Sequence, residues 1–169
     1  FDLIDANITR TQDEVLPELL HRYSKTFGPA TLEDAAWFLG LWKDSAKKLT
    51  SLKLDEYEQF EHEGRTYYDV HVEEAMGDIP KLKLLSGFDP LIVSYVERSA
   101  VLPAEYKSKV ILKSGICLPT ITVNGQVAGI WNIRKKEPMI EFFKTQPKSI
   151  QNAAYDMVSG IQLKTQGVM

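Results

Sequence analysis

The chain reads as an α+β protein: a winged helix-turn-helix followed by a small antiparallel β-rich, barrel-like unit with a C-terminal helix. Three observations predict this. Residues 23–72 run in the order helix, turn, helix, hairpin. From Lys81 the apolar period changes from three and four residues to two, and Asn124-Gly125 sits between two such runs. The last apolar stripe, over residues 149–163, returns to helical spacing. The predicted units are residues 11–76 and 81–169, with Gly77-Asp78-Ile79-Pro80 as the boundary.

Residues 1–10 have no clear period and read as a linker. Val15, Leu16, Leu19, Leu20, Tyr23 and Phe27 recur at three- and four-residue spacing and predict a helix over 12–25. Pro17 falls in its early turns, where a missing N–H is tolerated. Phe27-Gly28-Pro29 ends it. A second helix starts at Thr31, with Asp34 three residues on as a capping-box partner, and stops at Gly40, a left-handed position. It is expected to bury Leu32, Ala35, Ala36 and Leu39, with Trp37 and Phe38 adding bulk. A third helix over 43–51 turns Ala46 and Leu49 inward and leaves Lys43, Lys47 and Lys48 outward. Two strands, 56–61 and 66–72, then meet across Glu63-Gly64-Arg65. This order is a common way to present one helix to a DNA major groove. It is also a protein-docking module, so the architecture alone does not decide between them.

In the second unit, residues 81–85 alternate as a strand and Gly87-Phe88-Asp89-Pro90 is turn chemistry. Residues 91–95 are a strand or a short helix, and 103–109 a helical turn or two. Strands are expected over 109–112, 118–123 and 126–133, and a last one over 139–143 after the turn Lys135-Lys136-Glu137-Pro138. The closing helix carries Ile150, Ala153, Ala154, Met157, Val158 and Ile161 on one stripe. Together these make a small sheet or a partly closed barrel.

Composition narrows the function. The 169 residues are 44% hydrophobic and 25% charged, an ordinary globular balance. A formal net charge of −3 argues against a surface that is basic throughout, while leaving room for a local basic face. No run of about 18 apolar residues is present, so no membrane helix is expected. The N-terminal residues carry no export signal, which makes the cytoplasm the expected location. Cys117, the only cysteine, lies in an apolar run and reads as packing. His21, His62 and His71 are scattered, and Glu58, Glu61 and His62 divide between the faces of a strand. No metal-ligand spacing, nucleophile triad or phosphate-cradling glycine loop stands out, so no catalytic residue, metal or cofactor is expected.

Three blocks carry a resemblance. They are Arg22-Tyr23 with Phe27-Gly28-Pro29-Ala30-Thr31, Asp34 and Ala36-Trp37-Phe38-Leu39-Gly40-Leu41; Leu84-Leu85-Ser86-Gly87-Phe88-Asp89-Pro90 with Tyr95-Val96-Glu97-Arg98-Ser99; and the hairpin from Pro119 to Trp131 that ends Gly129-Ile130-Trp131. Over most of residues 20–145 the chain resembles bacterial winged-helix proteins related to the DNA glycosylases that unhook interstrand crosslinks. The resemblance implies tandem winged helices and a β-rich C-terminal domain around a basic concave DNA surface. It also implies a Gln-x-Gln or Gln-x-Asp motif in an N-terminal winged helix. None of Gln12, Gln59, Gln126, Gln146, Gln151, Gln162 and Gln166 has that partner two residues on. The resemblance, with that motif missing, implies that the chain is the C-terminal half of such a protein; it starts at Phe1 and not Met, so residues before Phe1 are allowed for.

The expected partner is double-stranded DNA, bound with low specificity, along with the N-terminal region of the same protein. The expected contacts are Lys43, Lys47 and Lys48, Arg65 at the wing tip, and the turn Arg134-Lys135-Lys136. Lys107, Lys109 and Lys113 form a further basic segment. Each of these also suits a solvated surface, and Glu56, Glu58, Glu61 and Glu63 crowd the hairpin with charge that repels phosphate. Trp42 is expected to pack under the wing. Asp89 and Arg98 are expected to form an ion pair that fixes the Phe-Asp turn. Two other readings stay open: a winged helix that docks protein, and part of a DNA glycosylase whose catalytic motif lies upstream.

Overall fold

The computed structural model describes residues 10–70 and 80–166. Residues 1–9 of the expected linker over 1–10, His71, Val72 and the boundary residues Gly77-Asp78-Ile79 lie outside the described residues. The fold is mixed α+β with antiparallel sheets and a C-terminal helix. It divides into two compact units, Phe1–Glu74 with Ser94–Val96, and Ala75–Val93 with Glu97–Met169.

In the first unit, α1 (Gln12–Phe27) starts on a capping box in which the Thr11 N–H donates to Glu14 Oε2 at 2.6 Å. Its buried face is Leu16, Leu20 and Tyr23, whereas Leu19 turns outward. α2 (Leu32–Phe38) has the expected capping box between Thr31 and Asp34 and is followed by Gly40 at φ +64°, the left-handed stop. Its buried residues include Ala35 and Ala36; Trp37 and Phe38 are exposed, not core. Phe38 nevertheless packs its ring on Tyr23 and Phe27, at 5.3 and 4.8 Å between centroids. α3 (Lys43–Leu49) is shorter than expected, because the Thr50 and Ser51 N–H groups bond three residues back, to Lys47 and Lys48, in a tightened last turn. Leu49 is fully buried.

The hairpin joins β1 (Glu58–His62) and β2 (Arg65–Asp69) through a two-residue turn, Glu63-Gly64, with both φ angles positive (49° and 72°). Ala30 adds an isolated antiparallel bridge to Tyr68, with N···O distances of 3.1 and 2.8 Å. That bridge puts extended backbone between α1 and α2 alongside the hairpin. Ser94–Val96 also belongs to this unit. Tyr23 Oη donates to the Ser94 carbonyl (3.1 Å), Tyr95 Oη to the Phe27 carbonyl (2.9 Å), and the Val96 N–H to Asp34 Oδ1 (2.7 Å).

The second unit is built on one sheet in the order β3-β4-β5-β6, all antiparallel, from β3 (Leu82–Leu85), β4 (Thr120–Val123), β5 (Gln126–Arg134) and β6 (Glu137–Phe142). Of the small sheet or partly closed barrel expected, the structure shows the sheet, which corrects the barrel-like reading: among the described residues β3 and β6 stand at its two ends and do not pair with each other. The turn Asn124-Gly125 has φ 50° and 83°, as type I′ requires. Lys135-Lys136 is a second two-residue turn (φ 51° and 66°), so β6 starts at Glu137 instead of after Pro138. Pro138 is tolerated because β6 is an edge strand.

The expected strand over 109–112 is instead the end of α5 (Lys107–Val110), and only Ile111 bridges to Cys117. Tyr106 and Val110 are both buried, one helical turn apart, and that spacing selects helix. α4 (Pro90–Val93) resolves the other open segment as helix. α6 (Lys148–Gln166) buries Ile150, Ala154 and Val158 at four-residue intervals, while Met157 and Ile161 are exposed, so the buried stripe is narrower than predicted. The Gly-x-Trp ending of the hairpin has two causes. Trp131 Nε1 donates to the Leu85 carbonyl at 2.9 Å, and a Cβ on Gly129 would sit 2.4 Å from the Glu141 carbonyl oxygen.

Candidate nucleic-acid interface

Leu49 anchors α3 in the core, with Ala46 half-buried beside it. Lys43 and Lys47 are thereby exposed, one turn apart. They line an open groove between α2 and α3 of about 390 Å³, whose apolar residues are Leu32, Ala36 and Ala46 and whose acidic edge is Glu33. Lys48 points elsewhere: its Nζ lies 2.6 Å from Asp13 Oδ1 on α1. That bridge is exposed on both sides, so it is worth little and can open.

Trp42 does not pack under the hairpin. It precedes α3 with 86% of its surface exposed, because Leu41 takes the inward position before it. Arg65 is not at the hairpin tip either. The turn ends at Gly64, so Arg65 opens β2 opposite His62, half-buried, with Nη1 out of solvent. The tip residues are Glu63 and Gly64, and Glu58 and Glu61 are exposed along β1. Phe60 and Tyr67 stack across the hairpin at 5.5 Å between centroids.

In the second unit, Arg134, Lys135 and Lys136 are all exposed around the β5–β6 turn. Lys107 and Lys113 are exposed as well. Lys109 is engaged with aromatic faces, its Nζ 4.9 Å from the Phe143 centroid and 5.9 Å from that of Tyr106. Lys144 pairs with Glu105 at 2.9 Å, which lowers the Glu105 pKa and raises that of Lys144.

Asp89 uses its carboxylate to accept from the Leu91 N–H (3.0 Å), and its carbonyl accepts from Ile92 and Val93, so it starts α4. Burial pushes the Cys117 thiol pKa up. The Phe88 N–H and the Arg98 guanidinium oppose that shift and Asp89 reinforces it.

The residue that sequence reasoning undervalued is Asp34. Only 2% exposed, it accepts from the Thr31 N–H (3.0 Å) and Oγ1 (2.7 Å) through one oxygen and from the Val96 N–H through the other. Burial, and secondarily the Asp34 charge, raises the pKa values of Tyr23 and Tyr95 above the ordinary phenol value. Asp34 and Tyr95-Val96 stand in separate motif blocks, and their shared presence was the available signal. Among the described residues, no three His, Cys, Asp or Glu side chains converge as metal ligands, and no helix is long and apolar enough to cross a membrane.

Comparison with known proteins agrees over most of the chain. A family model described as DNA glycosylase AlkZ-like matches residues 1–140. An interstrand DNA cross-link repair glycosylase of Streptomyces sahachiroi is 30% identical over 139 residues, covering 78% of this chain and 38% of that protein. The solved structure of Streptomyces sahachiroi DNA glycosylase AlkZ aligns with a TM-score of 0.69 at 27% identity, over 83% of this chain and 41% of the other. The chain therefore spans under half the length of these relatives.

Proposed function

The chain belongs to the AlkZ-like DNA glycosylase family, and from that premise we propose that it binds double-stranded DNA with low sequence specificity. In this reading it is the DNA-positioning, C-terminal part of a longer repair glycosylase. The first unit acts as a winged helix, with α3 as the recognition helix and β1–β2 as the wing. The order α1-α2-α3-β1-β2, with the Ala30–Tyr68 bridge beside the hairpin, supports this. The observation that carries the proposal is the pair Lys43 and Lys47, exposed one turn apart on a helix anchored by Leu49. Lysine offers phosphate a compact point charge, which holds a backbone without reading its sequence. Arg134, Lys135 and Lys136 supply a second phosphate contact from the other unit.

Base excision in this reading depends on a glutamine motif elsewhere in the longer protein, since this chain's glutamines lack the spacing. The relative's description as a cross-link repair glycosylase makes a cross-linked duplex the first substrate to try with that longer protein. The exposed acids Glu58, Glu61 and Glu63 favour a second reading, in which the hairpin docks a basic protein surface while α3 meets DNA.

The test is fluorescence anisotropy with a labelled duplex. The two α3 lysines alone predict an affinity that falls roughly tenfold between about 50 and 200 mM salt, and contacts from Arg134, Lys135 and Lys136 make the fall steeper. Lys43→Glu with Lys47→Glu should weaken binding sharply while leaving the circular dichroism spectrum unchanged. Undiminished binding in that double variant removes α3 from the interface, and no binding at low salt removes DNA.

A further inference from the structure

Trp42 is the most exposed large apolar side chain among the described residues, at 86%. Its backbone is nevertheless fixed. On one side the half-buried Leu41 donates its N–H to the Ala36 carbonyl (2.9 Å) and packs on the core; on the other the Trp42 carbonyl accepts from the Ala46 N–H (2.8 Å). The indole is therefore presented from a firm base and not from a loose loop. Trp42 makes no side-chain cap to α3, so capping does not account for it. Lys43 adjoins it and Lys47 follows one turn later, both exposed. An indole has one hydrogen-bond donor and no acceptor, so it cannot read a base edge through a paired contact as Arg, Asn or Gln do. What it offers is a flat apolar face, and beside two cations the matching surface is a nucleobase. In an intact duplex the faces of the bases are covered by their stacked neighbours. The leading end of a recognition helix is the part that meets bases.

We propose that Trp42 stacks on an unpaired or unstacked nucleobase, with Lys43 and Lys47 holding the adjacent phosphates, so that the chain prefers distorted DNA over a regular duplex. This rests on the DNA-binding reading above and adds the selectivity that the lysines cannot supply. The experiment compares two labelled duplexes of equal length at low salt, one fully paired and one with a two-nucleotide bulge, in titrations with the chain. The bulged duplex should bind about tenfold more tightly, the scale of one base–aromatic stack. Trp42→Ala should abolish that preference and keep the affinity for the paired duplex, and Trp42→Phe should retain part of it. The bulged duplex should also quench tryptophan emission in the parent and not in Trp42→Phe. Equal binding of the two duplexes by the parent overturns the proposal, as does a preference that survives Trp42→Ala. An indole that instead covers a protein surface would leave emission unchanged and give no preference in the same titrations, which overturns the proposal as well. Failure of the parent to bind either duplex is a separate result, which overturns the DNA-binding reading itself and this inference with it.

Discussion

Asp34→Ala removes a buried carboxylate that ties the start of α2 to the Ser94–Val96 stretch of the first unit. In the parent it accepts from the Thr31 N–H, the Thr31 hydroxyl and the Val96 N–H, at 3.0, 2.7 and 2.7 Å. Hydrogen bonds to a charged acceptor contribute about 1.5–3 kcal/mol each, and a stranded buried N–H costs about 1–3 kcal/mol. The three bonds share one acceptor group and do not add, so the expected loss is about 3 kcal/mol. The Thr31 hydroxyl still accepts from the backbone N–H of residue 34, so α2 keeps half its cap. Asp34→Asn keeps the shape and one acceptor oxygen and should lose about 1–2 kcal/mol. The assay is urea unfolding followed by circular dichroism, joined to amide hydrogen exchange. For a unit of this size the alanine variant should also melt roughly 10–20 °C lower. The Val96 amide, protected in the parent, should exchange much faster in both variants. A stability within about 0.5 kcal/mol of the parent, the range of a neutral surface change, refutes the reasoning, because the carboxylate would then be dispensable.

Two further outcomes follow from the geometry. Gly129→Ala should destabilise the second unit by about 1–3 kcal/mol in a thermal melt, since the new Cβ would meet the Glu141 carbonyl oxygen at 2.4 Å and Phe142 Cα at 3.0 Å, both backbone atoms that cannot rotate away. A melt that overlays the parent would mean the β5–β6 spacing is wrong. Tyr23, Tyr57 and Tyr95 have folded-state pKa values raised, first by burial, then by Asp34 for Tyr23 and Tyr95 and by Glu56 for Tyr57. Their protonated forms stabilise the fold fully below the unfolded phenol pKa of about 10, and that contribution is lost as pH rises above it. Ultraviolet titration should show delayed phenolate absorbance in the folded chain, with unfolding setting in above that pH; all seven tyrosines ionising together near the free value would contradict it.

What the sequence disclosed and what it hid divide by range. Thr31, Asp34 and Gly40 start and stop α2 through contacts within a few residues, and Asn124-Gly125 sets its own turn. Such signals are complete in the local string. The Ala30–Tyr68 bridge, the second oxygen of Asp34 on Val96, and the β3–β4 pairing all join segments distant in sequence. No local pattern encodes them. The misread strand at 109–112 is a different case: one lysine followed by three apolar residues fits one helical turn as well as a short strand, and the burial of Tyr106 decides between them.

The basic face of α3 was partly legible, and its misreading has a simple geometric cause. Three lysines on one short helix look like a cluster, yet neighbours in a helix point about 100° apart, and only residues three or four apart share a face. Lys43 and Lys47 meet that condition and line one groove. Lys48 follows Lys47 directly and so faces away, toward Asp13. Trp42 fails in another way. A large aromatic in a globular sequence is most economically assigned to the core, and only the packing of Leu41 reveals that the inward place is already taken. Of the three candidate lysines, two remain together, and they stand beside an exposed indole. Charge alone would bind any phosphate backbone. An aromatic face, under the DNA-binding reading proposed above, is what can distinguish an opened duplex from a regular one.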